Sequence, residues 1–364
     1  MTIAILSNDH AWTYNLRKEV IQALISEGHR IVLILSYGEK IEKLKEMGCE
    51  FIDIPFERHG TDFLKELKLI SNYKKILKEL KPDIVLSYTI KPNIYGGMVC
   101  NSLKIPFFPN ITGLGTAVEN KGPLQPVFIM LYKLGLKKAT HIFFQNTENL
   151  EFMKKHRILN SPYTLLPGSG VNLSHFKLLE YPDENKTSFV FISRIMKEKG
   201  IDQYLEAAKY IKGKYENTDF HICGFCEAEY KGKLNEYIDN GTVIYHGMVS
   251  DVRDVLKDVH CTVHPTYYPE GLSNVLLESA ASGRALITTD RAGCREVIED
   301  SINGYICKEK DSSNLILQIE KFLNLSYEEK KQMGLNGRLK VEKEFDRNIV
   351  VSKYLEQIKK VEKK

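Results

Sequence analysis

The 364-residue sequence holds no apolar run approaching the roughly 18 residues of a membrane span. Its first apolar stretch, "TIAIL", has the length of a short strand and none of the layout of a secretory leader. Cysteine is sparse and odd in number, seven in all, which fits reduced thiols in the cytoplasm better than a disulfide framework. Asp-x-Asp occurs nowhere, so the paired-carboxylate clamp for a divalent ion is missing. There is no solenoid-type period and no low-complexity tract. "TGLGT" supplies two of the three glycines of a dinucleotide fingerprint and follows a strand too loosely to be one.

What is present is the composition of an ordinary soluble globular chain, 43% hydrophobic and 27% charged. Its length favours two domains. The net charge of +4 is unevenly spread: residues 1–168 carry 22 Lys+Arg against 16 Asp+Glu, and the remainder 29 against 31. That excess points the first half toward something anionic, a phosphate group or a membrane surface, and nothing points to nucleic acid.

Both halves alternate buried-strand patterns with amphipathic stretches. "TIAILS", "HRIVLIL", "CEFIDI", "DIVLSY", "IPFFPN" and "THIFFQ" read as parallel strands, with helical patterns at Leu16–Glu27 and Phe63–Leu80 between them. A Pro-, Gly- and Asn-containing stretch, "SPYTLLPGSGVNLSHFKLLEYPDENKT", reads as a junction loop. The alternation then restarts with "SFVFIS", "DFHIC", "TVIYHG", "HCTVHP", "ALITT" and "GYIC". The expected fold is α/β, two Rossmann-like domains facing each other across a ligand cleft. They span residues 1–168 and 169–343, and residues 344–364 form a helix expected to return to the first domain.

Two segments of the second half concentrate charge where ligands bind. In "FISRIMKEKGIDQYLEAA", Arg194 follows a strand end and Lys199 precedes a helix, a forked and a point-like cation suited to a diphosphate. In "PEGLSNVLLESAASGRAL", Gly271–Ser273 is expected to open a helix whose free N–H groups meet an anion or a sugar hydroxyl. Glu270 then stands at the helix mouth and Glu278 two turns in, about 12 Å along the axis. That separation exceeds both carboxylate spacings of glycoside hydrolysis, so the two acids read as separate grips on one elongated ligand. Taken singly, each is equally readable as an exposed helix acid; the whole string decides.

Arg194 and Lys199-Gly200 followed by "PEGLSNVLLE" resemble the donor half of glycosyltransferase family 4, the retaining, GT-B-fold, nucleotide-sugar-dependent enzymes. "LLPGSGVNLSHF" resembles that family's junction and "GYIC" its later strand. "SYTIKPNIYGG" and "NITGLGTA" resemble a bacterial branch that builds surface polysaccharides and lipid-linked oligosaccharides. The resemblance implies that Arg194 and Lys199 hold the donor diphosphate and stabilise the leaving group, and that Glu278 binds the ribose. It implies that Glu270, with the amides of Gly271, Leu272 and Ser273, holds the transferred sugar and its phosphate. Arg194, Lys199 and Glu270 are thus the expected catalytic set. The co-substrate would be a UDP-sugar without a metal or other cofactor, and the acceptor a polyprenyl-diphosphate-linked saccharide. The enzyme would be cytoplasmic and peripheral on the inner face of the cell membrane.

The acceptor side departs from the family. "SNDHAWTYNLR" replaces its Gly-Gly loop, and Tyr88 and Thr89 stand where relatives carry histidine. Asp9, His10, Arg17, Lys91, Thr112 and Gly113, in a loop reaching Thr116, are the acceptor candidates; Arg17 and Lys91 are expected to meet an acceptor phosphate. Two rival functions remain: a sugar-nucleotide epimerase of similar fold, and a non-catalytic nucleotide-sugar sensor. Cys223-x2-Cys226 with Cys261 and His264 has a spacing compatible with zinc, but Cys223 and Cys261 fall in expected core strands.

Overall fold

The computed structural model describes residues 1–55, 63–115, 118 and 122–362. The chain divides into two units, Met1–Ser169 with Arg347–Lys364, and Gly170–Asp346. No helix among the described residues is long and apolar enough to cross a membrane.

The first unit is built on a seven-stranded sheet. Its strands are β1 (Thr2–Leu6), β2 (Arg30–Leu35), β3 (Glu50–Asp53), β4 (Ile84–Tyr88), β5 (Phe107–Ile111), β6 (Ile142–Phe144) and β7 (Tyr163–Leu165). All neighbours pair in parallel in the order β3-β2-β1-β4-β5-β6-β7. The intervening helices are α1 (His10–Ser26), α2 (Ile41–Glu46), α3 (Phe63–Leu80), α4 (Gly97–Leu103), α5 (Gln125–Leu136) and α6 (Thr147–Lys155), and a π-helical turn covers Pro92–Gly96.

Two local features differ from the sequence expectation. The junction loop contributes β7, because "YTL" is β-favouring and completes the sheet edge beside β6. Helix α1 begins at His10, ahead of its apolar periodicity, because the Asp9 carboxylate accepts the Trp12 N–H at 2.7 Å and caps it.

The second unit repeats the plan with six parallel strands: β8 (Thr187–Ile192), β9 (Thr218–Cys223), β10 (Ile244–Tyr245), β11 (Cys261–His264), β12 (Ala285–Thr289) and β13 (Gly304–Cys307). Their order is β10-β9-β8-β11-β12-β13. Its helices are α7 (Ile201–Lys214), α8 (Lys231–Asp239), α9 (Arg253–Leu256), α10 (Asn274–Ala281), α11 (Ser312–Leu323) and α12 (Tyr327–Glu344). Strands β8, β11, β12 and β13 are almost wholly buried, with apolar clusters packed on the sheet, as parallel sheets require. Helix α12 starts on a capping box between Ser326 and Glu329 and runs to Glu344, so the unit ends at Asp346.

The last helix, α13 (Arg347–Glu362), belongs to the first unit. Val350, Tyr354 and Ile358 are buried in the cluster that contains β1, β2 and α1 side chains. The Tyr354 ring packs at a tilt against Phe143, with ring centres 4.3 Å apart, and its hydroxyl accepts from the Asn110 amide at 2.6 Å. Arg347 pairs with Glu19 of α1 at 2.8 Å.

Candidate functional site

In a doubly wound parallel sheet the strand order reverses at one point, and the loops leaving the two strands there diverge to leave a ligand crevice. In the second unit that point lies between β8 and β11. Arg194 stands two residues beyond β8, and the loop carrying Tyr268 and Glu270 leaves β11. The two segments are stitched together. Tyr267 N–H donates to the Glu198 carbonyl at 2.8 Å, and the Thr266 hydroxyl donates to the same oxygen at 3.3 Å. Gly200 has φ 79°, and a Cβ there would lie 2.1 Å from the Pro265 carbonyl oxygen, so glycine is needed for this close approach.

The four expected donor-side groups occupy this one unit. Lys199 and Glu270 form an ion pair, with side chains only 10% and 16% exposed. Arg194 is 47% exposed and 3.9 Å from the Glu227 carboxylate. The ring of Tyr268 faces both cations, its centre 4.7 Å from the Lys199 Nζ and 5.6 Å from the Arg194 guanidinium carbon. An aromatic face stabilises a cation without neutralising it, so Tyr268 gathers the two positive groups without itself cancelling their charge. Nothing in the spacing of the motifs signals this role for Tyr268.

The start of α10 differs from expectation in detail. The helix begins at Asn274, because Ser273 has extended backbone and its hydroxyl accepts from Leu276 N–H at 3.5 Å as the N-cap. Glu278, half-buried, therefore stands one turn into the helix rather than two, and the axial estimate of its distance from Glu270 does not apply. The Ser273 amide donates to the Gly293 carbonyl at 2.7 Å and Leu272 is buried, while the Asn274 side-chain oxygen is buried without a partner.

The loop after β12, absent from the sequence expectation, supports this geometry. Arg291 Nε donates to the Tyr268 carbonyl at 3.0 Å, and Gly293 N–H donates to the Glu296 carboxylate at 2.8 Å. The string "DRAGCRE" directly after a strand held a usable signal: a glycine flanked by charge at a strand end.

Beneath the pair, His264 is 1% exposed with neither ring nitrogen partnered. Burial, with Lys199 nearby, pulls its pKa down to about 3, so the ring stays neutral. Burial and the Glu270 carboxylate push the Cys294 thiol up to about 12. Cys226 and Cys261 lie in one core cluster and Cys223 in another. Burial raises all three thiols, which disfavours the thiolates a metal would need. Among the described residues no group of three metal-ligating side chains forms.

In the first unit the order reverses between β1 and β4. Asp9 and His10 follow β1, Lys91 follows β4, and Thr112 and Gly113 follow β5. Arg17 is 5% exposed, with its guanidinium carbon 4.6 Å from the Tyr88 ring centre, and Lys91 pairs with Glu66 at 2.6 Å. Of the two cations expected to meet a phosphate, Lys91 is thus already ion-paired, and Arg17 is buried over an aromatic ring. His10 Nδ1 and Thr89 Oγ1 are buried without hydrogen-bond partners, and Thr89 is held at φ 71°. A left-handed non-glycine costs about 1–2 kcal/mol, and such strain gathers at functional sites. Thr116, at the end of the expected acceptor loop, lies outside the described residues.

Residues 175–340 match the family model "Glycosyl transferases group 1", and residues 3–146 match "Glycosyl transferase 4-like". The chain is 28% identical to the N,N'-diacetylbacillosaminyl-diphospho-undecaprenol alpha-1,3-N-acetylgalactosaminyltransferase of Campylobacter jejuni, over 98% of this chain and 97% of that protein. It is 22% identical to the UDP-Gal:alpha-D-GlcNAc-diphosphoundecaprenol alpha-1,3-galactosyltransferase of Escherichia coli, over 78% and 79% of the two chains. The fold is shared with Anabaena HepE in complex with UDP, at a TM-score of 0.79 and 14% identity over 99% and 100% of the chains. It is also shared with the sucrose-phosphate synthase of Thermosynechococcus elongatus, at a TM-score of 0.79 and 15% identity over 99% of each chain.

Proposed function

This chain belongs to the glycosyltransferases whose first half is of the 4-like type and whose second half is of group 1, and on that premise we propose that it transfers a hexose or N-acetylhexosamine from a UDP-sugar to a polyprenyl-diphosphate-linked saccharide in bacterial surface glycan assembly. The observation that carries this reading is the convergence of Arg194 and Lys199 on the Tyr268 ring, beside Glu270 and the start of α10. Two cations and a helix start answer the charge of a diphosphate, and a carboxylate within the same site answers sugar hydroxyls. The names of the Campylobacter and E. coli relatives support the acceptor class, and the E. coli relative and the UDP complex of HepE support the nucleotide.

The glycosidic carbon–oxygen bond to the donor phosphate breaks, and its electron pair passes to the departing phosphate oxygen. Charge develops there, so fixed cations at that atom lower the barrier most. The acceptor hydroxyl attacks from the same face, its oxygen bonding to the sugar carbon and its proton passing to the leaving phosphate; configuration is retained. Glu278 holds the ribose, and the first unit takes the acceptor through the groups at the ends of β1, β4 and β5. No metal enters this reading: Arg194, Lys199 and the start of α10 are the positive groups that meet the diphosphate.

The first unit also suits a peripheral position on an anionic membrane. Leu124, Val127, Met130 and Leu134 form a half-exposed apolar face along α5, with Lys133, Lys137 and Lys138 exposed beside and beyond it. Incubation with undecaprenyl-diphosphate-linked saccharides and a panel of UDP-sugars tests the function. The expected product is one sugar heavier and α-linked from an α-donor; an inverted linkage, or an altered nucleotide sugar without acceptor, would contradict the assignment.

A further inference from the structure

The chain leaving β4 makes unfavourable backbone choices in succession. Thr89, a β-branched residue, is held in the left-handed region at φ 71°. Lys91 has helical backbone, φ -65° and ψ -46°, although Pro92 follows it and a proline crowds that conformation in the residue before it. The chain then enters the π-helical turn Pro92–Gly96, a rare geometry that gathers at functional sites. Such a run persists only where its surroundings over-determine it.

Asn93 supplies that hold. It is 1% exposed, and its backbone and side chain are all engaged. Its backbone N–H donates to the Thr89 carbonyl at 3.0 Å. Its side-chain oxygen accepts from the Ser87 hydroxyl at 2.6 Å, and its side-chain N–H donates to the Asn110 carbonyl at 2.8 Å. One side chain therefore closes the loop on its own strand and ties it to the end of β5. Ser87 and Asn110 are themselves fully buried, so water does not replace these bonds. Within the same loop, Ile90 lies over the segment that leaves β5: a Cβ on Gly115 would meet the Ile90 Cδ1 at 2.5 Å.

We propose that Asn93 is a positioning residue for the acceptor, fixing the β4 loop in its strained form and so setting it against the β5 loop. The proposal rests on the reading above that the first unit takes the acceptor at the ends of β1, β4 and β5. Strand β4 stands where the order reverses and a ligand crevice opens, and β5 is its neighbour. Asn93 is too deeply buried to touch a ligand itself and acts through Thr89, Ile90 and Lys91. A purely structural asparagine would be indifferent to which substrate is varied and to the backbone preference of residue 89.

Asn93→Ala leaves the Ser87 hydroxyl and the Asn110 carbonyl without their partner and releases the loop. With a water-soluble diphosphate-linked saccharide as acceptor, its KM should rise about tenfold, an order of magnitude for one buried hydrogen-bonded anchor. UDP affinity by titration calorimetry should be unchanged, because the donor residues lie in the second unit. Ser87→Ala removes one bond and should raise the same KM by less. Thr89→Gly adopts φ 71° without strain, so it should raise the melting temperature by itself. In the Asn93→Ala background it should restore part of both the melting temperature and the acceptor KM. Leu24→Ala, in the core of the first unit, is the control for lost stability and should melt lower with a wild-type KM.

If Asn93→Ala raises the acceptor KM no more than Leu24→Ala does, or if Thr89→Gly gives nothing back, Asn93 is structural only and the proposed function stands. Should Asn93→Ala not fold, Ser87→Ala with and without Thr89→Gly carries the same comparison. If wild type binds UDP yet transfers sugar to no diphosphate-linked saccharide, the acceptor reading fails and the positioning role fails with it.

Discussion

A Cβ on Gly293 would lie 2.8 Å from the Cβ of Glu270 and 3.0 Å from the Gly271 carbonyl oxygen. The residue also has φ 86°, and its carbonyl holds the Ser273 amide. Gly293 thus fixes how closely the Glu270 loop can pack over the end of β12. Gly293→Ala is expected to push the loop outward and strain the backbone. The fold should survive with a stability loss of about 1–2 kcal/mol. Affinity for a UDP-sugar should fall more than affinity for uridine; equal losses, or none, would remove Gly293 from the site.

Arg194→Ala and Lys199→Ala should each lower kcat by about 10²–10³, the scale for losing one preorganised charge stabiliser. Uridine binding should change little. Lys199→Ala also leaves Glu270 without its cation partner, so it should melt at lower temperature, whereas Arg194→Ala should not. Near-normal turnover of Arg194→Ala would sink the leaving-group assignment.

The α/β class was legible because strand and helix periods alternate over long stretches, and Arg194, Lys199, Glu270 and Glu278 were legible because they stand in compact strings. What escaped was contact between segments distant in sequence. Tyr268 is one aromatic among many until the fold sets two cations against its ring. Gly293 reads as a turn glycine until Glu270 packs against it. On the acceptor side, Lys91 looked open because its partner Glu66 is 25 residues away on another helix. Helix α10 was placed early because Gly-Leu-Ser reads as a helix mouth, while Ser273 acts as its cap.

If Glu278 grips the ribose, Glu278→Gln should weaken UDP and UDP-galactose binding by similar factors. It should leave inorganic diphosphate unaffected, because that ligand has no ribose. Calorimetric titration with all three decides it, and a loss restricted to UDP-galactose would move Glu278 to the sugar.

Activity should survive excess EDTA, because two cations and the start of α10 face the diphosphate charge. The measurement is the initial rate of sugar transfer before and after chelation. Complete loss on chelation, restored by Mg²⁺ or Mn²⁺, would count against the site as drawn.

The apolar face of α5 and the lysines of α3 lead to the last expectation. Tyr132 and Leu136 of α5 are buried in the core, while Leu124, Val127, Met130 and Leu134 turn outward along the opposite side. Helix α3 exposes Lys74, Lys75 and Lys78, with Leu64 and Leu67 exposed near its start. Apolar side chains bounded by lysines suit the boundary of an anionic bilayer, where each lysine contributes about 1 kcal/mol. The electrostatic part weakens with salt and the apolar part does not. Co-sedimentation should therefore be strong with anionic liposomes at low salt, reduced at high salt and slight with neutral liposomes. Charge reversal at Lys74, Lys75 and Lys78 should lower binding mainly at low salt, whereas Val127→Asp with Met130→Asp should lower it at every salt concentration. Both variants should lose turnover on a long-chain acceptor and keep it on a water-soluble analogue, because neither touches the donor site. If both still sediment like wild type, α3 and α5 do not form the membrane face, and the first unit's positive charge serves the acceptor phosphates alone.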